Sequence, residues 1–254
     1  MKYGFTADTP TEQETGIAMS TPMPTVADDK RFILRVCRSL AVDDFIAAGA
    51  IGLYQRLLIN YSDHLPCKDN TVLCIAIVCL ILKIELDYEY LDTTRIITTA
   101  QAARSLLAGG DAKKSNWSLG SISTSKERHA FYKSIWSQIS SEERRILSLL
   151  EGNVIPENQT QVNPMAILYT ITQNWKKEQR VFRKLVQDQI LELSIETDML
   201  STHEPRAVIL AVIQHEARER GLPLLVISET DAQLMADERM IDMVSAACAK
   251  TKPQ

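Results

Sequence analysis

The chain has 254 residues, 45% apolar and 24% charged, enough for one large globular domain or two of ordinary size. A formal charge of −4 and a pI near 5.7 argue against broad nucleic-acid binding, which usually shows as a basic face. No stretch reaches the roughly 20 apolar residues of a membrane span, so neither a membrane role nor a secretory leader is expected.

Residues 1–26 have no hydrophobic period and read as a flexible arm. Asp28 or Asp29 starts a first helix with Phe32, Ile33, Val36, Cys37 and Leu40 on one face. A second starts from Asp43 or Asp44 and carries Phe45, Ala48, Ile51, Leu53, Tyr54, Leu57 and Leu58 at spacings of mainly three and four. Gly49 and Gly52 cost that helix roughly 1 kcal/mol each against alanine, a cost that close packing of two backbones offsets. Asp63 to Cys67, with Pro66, is a turn.

The stretch Val72–Leu82 is apolar at every position. It is too long for an ordinary buried strand and too short for a membrane span, which leaves a central helix surrounded by others. Asp69 is placed to cap it, and Lys83 arrives at the end that favours a cation. Ala76 is expected to be fully buried. Asp92 or Thr93 caps the next helix, to Leu107. Residues 108–124 hold three of the nine glycines and read as a loop in which Trp117 docks back as an anchor. Ser125 opens a helix to about Glu151, with Ser140 or Ser141 as its expected interruption and Gly152 as its end.

Asn153 to Gln161, with Pro156, is the expected domain boundary, after which the pattern restarts. Pro164 leads a helix through Ala166 to Trp175, and a longer one covers Gln179 to about Ile195. Glu204-Pro205 opens Arg206–Arg220, a second helix with an apolar centre, in which Ala211 is expected to be buried. Gly221-Leu222-Pro223 stops it, and Asp231–Ala249 forms the last helix. The expected fold is therefore all-α, with a core at 27–152 and another at 161–249.

Catalytic chemistry finds no constellation. The four histidines are dispersed, and His215-Glu216 lacks the second histidine of a zinc-protease helix, so it reads as a polar helix edge. Gly109-Gly110 lacks the Gly-Lys-Ser/Thr of a phosphate loop. The five cysteines have no metal-ligand spacing, and Cys74 and Cys79 lie inside the apolar run, so reduced thiols in a cytosolic or nuclear compartment are expected. No enzyme activity, cofactor or metal is expected. From the residues alone, Glu142-Glu143 is either a solvated helix face or a partner contact.

Several segments together resemble the cyclins, most of all the transcription-type cyclins T and K. Ala50-Ile51-Gly52-Leu53-Tyr54-Gln55-Arg56-Leu57 is similar to the second helix of their first box. Cys79-Leu80-Ile81-Leu82-Lys83-Ile84-Glu85 is similar to the end of the third, with Leu86 where the family has a second glutamate. Ile96-Ile97-Thr98-Thr99-Ala100 and Ala103-Arg104-Ser105-Leu106-Leu107 resemble the fourth, and Glu142-Glu143-Arg144-Arg145-Ile146-Leu147 the fifth. Glu204-Pro205-Arg206 through Ile213 resembles a helix of the second box.

The resemblance covers roughly residues 27–225 and implies two tandem five-helix cyclin boxes. It implies a regulatory subunit that binds and activates a cyclin-dependent Ser/Thr protein kinase, in transcription or the cell cycle, in nucleus or cytoplasm. By the same match, Lys83, Glu85 and Glu143 are the kinase-binding residues, and Lys83 pairs with Glu143. Removing either charge is expected to weaken the kinase and leave stability nearly intact. The Met-Arg-Ala-Ile-Leu docking motif of cell-cycle cyclins is absent from Arg31–Cys37. Two alternatives share the fold: a general-transcription-factor module gripping DNA through Arg31, Arg35, Arg38 and Lys126 to Arg128, and a scaffold that binds no kinase.

Overall fold

Reciprocal capping starts the first helix: Asp28 N–H donates to Thr25 Oγ1 (3.2 Å) and Thr25 N–H donates to Asp28 Oδ2 (2.9 Å). In the computed structural model, which describes residues 25–65, 70–86, 92–107, 124–154, 163–222 and 238–251, α1 therefore spans Val26–Ser39. It begins ahead of the expected Asp28 or Asp29 because Thr25 is the cap. Several expectations lie outside the described residues: most of the N-terminal arm, the Asp69 cap, Cys67, residues 108–123 of the loop with Trp117, residues 155–161 of the boundary, Pro223, and residues 231–237 of the last helix.

Asp43 caps α2 (Asp44–Tyr61), accepting from Phe45 N–H at 2.8 Å. A Cβ added at Gly49 would lie 3.5 Å from Ile81 Cγ2 and 3.4 Å from Asn163 Nδ2, ordinary contact distances, so the close backbone approach expected to require this glycine is not what its surroundings show. The next helix, α3 (Thr71–Leu86), confirms the central placement. Every residue from Leu73 to Leu82, Ala76 included, is buried, and α1, α2 and α5 (Ser125–Leu149) pack around it. Asp92 caps α4 (Thr93–Leu107), which lies on α1 and α5.

No break occurs at Ser140 or Ser141; α5 is one helix of 25 residues. Ile135, Ile139 and Ile146 are buried on both sides of the serines, and that packing outweighs the few tenths of a kcal/mol by which serine falls short of alanine. Glu151 (φ 51°) and Gly152 (φ 78°) then take left-handed backbone, and Gly152 N–H donates back to the Leu147 carbonyl at 2.8 Å, ending the helix.

The second group comprises α6 (Pro164–Ile171), α7 (Arg180–Glu196), the single turn α8 (Met199–Thr202), α9 (Pro205–Glu219) and α10 (Glu238–Thr251). Helix α6 stops short of the expected Trp175. The Thr172 carbonyl, which a continuing helix would need, accepts instead from Arg183 NH2 at 2.7 Å, and Trp175 stacks on Phe182 with ring centroids 5.7 Å apart. Helix α9 is the centre of this group, with α6, α7, α8 and α10 against it and Val208–Ala217 buried, Ala211 among them.

Among the described residues every regular element is helical, and the helices sort into two bundles, α1–α5 and α6–α10. Their interiors meet where α1 and α2 pack on α7, and α2 on α6, so the buried apolar residues of both form a continuous cluster. Polar contacts fix this joint. Arg38 NH2 lies 3.1 Å from Asp188 Oδ1, Arg31 pairs with Glu196, and Lys184 pairs with Asp44. Gln55 Nε2 donates to Asp198 Oδ1 at 2.9 Å. The buried Lys30 donates to the Ser194 carbonyl at 2.9 Å, filling a last-turn acceptor of α7 that the helix itself leaves open. Burial lowers the Lys30 amine below its usual range, against the opposing pull of Asp198 and Glu196.

Candidate partner-binding site

Helix α3 emerges from the first bundle at its last turn. Lys83, Ile84 and Leu86 are exposed there, and α5 crosses beside them. The Lys83 ammonium donates to both carboxylate oxygens of Glu143, at 2.6 and 2.7 Å. The two ends of this pair differ: the Lys83 side chain is 39% exposed, that of Glu143 only 8%. Ile139 and Ile146, one turn to either side of Glu143, are buried, and this same packing turns the carboxylate in towards α3. Glu143 is therefore not on a solvated helix face.

Two further groups shape the pair. The Trp136 ring, two helical turns before Glu143 on α5, has its centroid 5.8 Å from Lys83 Nζ, within cation–π reach. Cys79, one turn before Lys83, is buried, and its thiol is pushed well up by burial and by the Glu143 charge. The exposed side chains of Ile84, Leu86 and Leu147 lie on the same stretches of α3 and α5, giving a charged pair in an apolar setting. Glu85, two residues beyond Lys83, faces another side of the helix; it is half-buried, and burial raises its carboxyl. Of the three residues expected to act together, the structure joins Lys83 and Glu143.

Glu142 turns to Arg145, whose Nε donates to it at 2.9 Å, and Arg145 also bonds the His64 carbonyl, tying α5 to the turn after α2. Of the arginines expected to form a basic strip, Arg31 and Arg38 are taken up by Glu196 and Asp188 at the joint between the bundles. Arg35, Lys126 and Arg128 are exposed. His215 and Glu216 are buried, not a polar helix edge: His215 Nδ1 lies 2.9 Å from Ser245 Oγ of α10, and Glu216 pairs with Arg220. The docking of α10 along α9 buries them, which the pattern of α9 alone does not reveal.

A cleft of about 440 Å³ between α7 and α9 is lined by Leu185, Asp188, Gln189, Glu192, Glu216, Glu219 and Arg220. Asp188 and Glu216 already have cationic partners, and the Glu192 carboxyl is raised by burial and by Glu196. Among the described residues no group of three or more His, Cys, Asp or Glu is arranged to hold a metal ion. Cys37, Cys74, Cys79 and Cys248 are buried and in no disulfide, the thiol of Cys37 pushed up to about 12 by burial. Among the described residues no helix is long and apolar enough to cross a membrane. The chain matches no family model, no curated protein and no solved structure.

Lys83 and Glu143 were reached through motif order. Trp136 and Lys30 were missed. Trp136 has one signal in the sequence: seven residues separate it from Glu143, which puts both on one helix face. Lys30 has none, because its acceptor lies 164 residues away.

Proposed function

We propose that this chain is a cyclin-like regulatory subunit that binds and activates a cyclin-dependent Ser/Thr protein kinase, in transcription or cell-cycle control, in the nucleus or cytoplasm. The observation that carries the reading is the Lys83–Glu143 ion pair, which joins the two residues matched to the family's kinase contact, at 2.6 Å and beside exposed Ile84 and Leu86. Two helical bundles among the described residues, each built about a largely buried helix, support the cyclin-box reading. The physics is a population shift: a rigid surface that favours the active placement of a kinase's mobile helix raises the share of molecules with an assembled ATP site. The kinase performs phosphoryl transfer, and this chain supplies no catalytic group. The DNA-gripping alternative is weakened because Arg31 and Arg38 are committed to internal pairs.

The test is affinity capture from native cell extract with the wild-type chain and with the double variant Lys83→Met/Glu143→Gln, which removes both charges and strands neither. Captured proteins are identified and assayed on a peptide substrate. A kinase recovered by the wild type and bound at least tenfold more weakly by the double variant, about 1.4 kcal/mol, is the expected result. Recovery of no kinase by the wild type would overturn it.

A further inference from the structure

The Lys83–Glu143 pair has a third member, and the geometry assigns it a role. We infer that Trp136 is a positioning residue, its indole face holding the Lys83 ammonium over Glu143 in the orientation a partner meets. The inference rests on the kinase-binding reading for its functional consequence, and on the geometry about Lys83 for its physical part.

Lys83 has a long flexible stem and a side chain 39% exposed, so a single carboxylate leaves the ammonium free to swing about it. Glu143 supplies a floor, with both oxygens within 2.7 Å of Nζ. Trp136 supplies a wall, with its centroid 5.8 Å from the same nitrogen. The two residues stand about 10 Å apart along one face of α5, and Lys83 reaches in from α3 between them. The indole's negative π-face attracts the cation, which an aliphatic side chain of similar bulk does not.

Ile135 and Ile139 occupy the buried positions of that part of α5, whereas Trp136 packs against the edge of the core and is half-buried, which leaves part of its ring to meet the exposed lysine. A surface cation held by both a carboxylate and an aromatic face loses less freedom when a partner acceptor engages its remaining N–H. Holding the bound geometry in advance is a recognised source of affinity.

The experiment has two arms. In the free chain, lysine labelled with ¹³C at Cε is followed by NMR, and the Lys83 signal is identified by its loss in Lys83→Arg. Trp136→Leu should remove the upfield ring-current shift of that signal, and Trp136→Phe should keep a reduced one. In the second arm, kinase affinity is measured for the same variants alone and in the Lys83→Met/Glu143→Gln background, with helicity and unfolding midpoint checked for each. Trp136→Leu should weaken binding two- to fivefold, Trp136→Phe should restore it to within twofold, and Trp136→Leu should add nothing in the neutral background.

A Lys83 signal unaffected by Trp136→Leu overturns the inference, whether or not a kinase binds. An equal loss of affinity in both backgrounds also overturns it, since Trp136 would then act by its own contact with the partner or through the fold. A wild-type chain that binds no kinase refutes the regulatory reading separately, and the NMR arm still decides the place of Trp136.

Discussion

Breaking the Lys83–Glu143 pair from its two ends should have unequal cost. In Lys83→Met a carboxylate whose side chain is 8% exposed loses the ammonium that met both its oxygens. A fully buried pair broken this way costs about 3–5 kcal/mol, and an exposed one about 0–1. Lys83 lies at the mouth of the site, 39% exposed, so water reaches part of what it vacates, and an intermediate cost of about 2 kcal/mol follows. In Glu143→Gln the lysine turns to solvent while the amide oxygen still accepts from it, so the loss is about 1 kcal/mol or less. The double variant strands no charge and should lie near Glu143→Gln, giving a coupling of about 2 kcal/mol, the cost of Lys83→Met. Urea unfolding at neutral pH, followed by helical circular dichroism, measures all four corners of the cycle. Lys83→Met within about 0.5 kcal/mol of wild type would mean that the pair behaves as ordinary surface charge. Equal costs from the two ends would refute the asymmetry.

Ala76→Phe should lower stability by roughly 1–3 kcal/mol, because Ala76 is wholly buried in a helix packed by α1, α2 and α5; an unchanged unfolding midpoint would mean that α3 has a free side. Glu192→Gln should raise the midpoint at pH 7. The raised Glu192 carboxyl holds its proton more tightly in the folded chain than in the unfolded one. Stability is therefore lost as pH rises from the ordinary carboxylate range through the folded pKa, and at neutral pH the ionised group is a cost that glutamine removes. Below that window both forms are neutral and the difference should vanish, so a gain of equal size at pH 3.5 would refute the assignment.

Much of the helix order was legible because it depends on local pattern. The run Val72–Leu82 is apolar on every side, and a helix with no polar face needs neighbours on every side, as α3 has. Caps at Asp43 and Asp92 and the first-turn Pro164 follow from the side chains themselves. What the pattern missed depends on distant partners. Asp29 reads as a helix start, yet it is buried and accepts from Tyr54 OH and Asn70 Nδ2, each at 2.7 Å, from residues 25 and 41 positions away. Ser140-Ser141 reads as a break, but packing of α5 on α3 and α4 overrides so weak a local preference. Glu143 is left open in the sequence between a solvated face and a partner contact because its burial is set by where α3 and α5 cross.

The two bundles end their central helices in opposite ways, and that difference bears on the proposed partner face. Helix α9 keeps Gln214, His215, Glu216 and Ala217 buried towards its C-terminal end; α10 packs along it, His215 meets Ser245, and Glu216 meets Arg220. His215 Nδ1 and the Glu216 carboxylate thus find their partners within the second bundle. Helix α3 instead brings Lys83, Ile84 and Leu86 out to solvent, with Trp136 half-buried beside them. Apolar side chains around an ordered, partly exposed charge give a partner both area to bury and a direction to read. The second bundle supports that face from behind: it grips α1 through Lys30, Arg31 and Arg38, and α1 packs directly on α3. The same contacts that pair Arg31 and Arg38 with the second bundle thus steady the helix whose end carries Lys83.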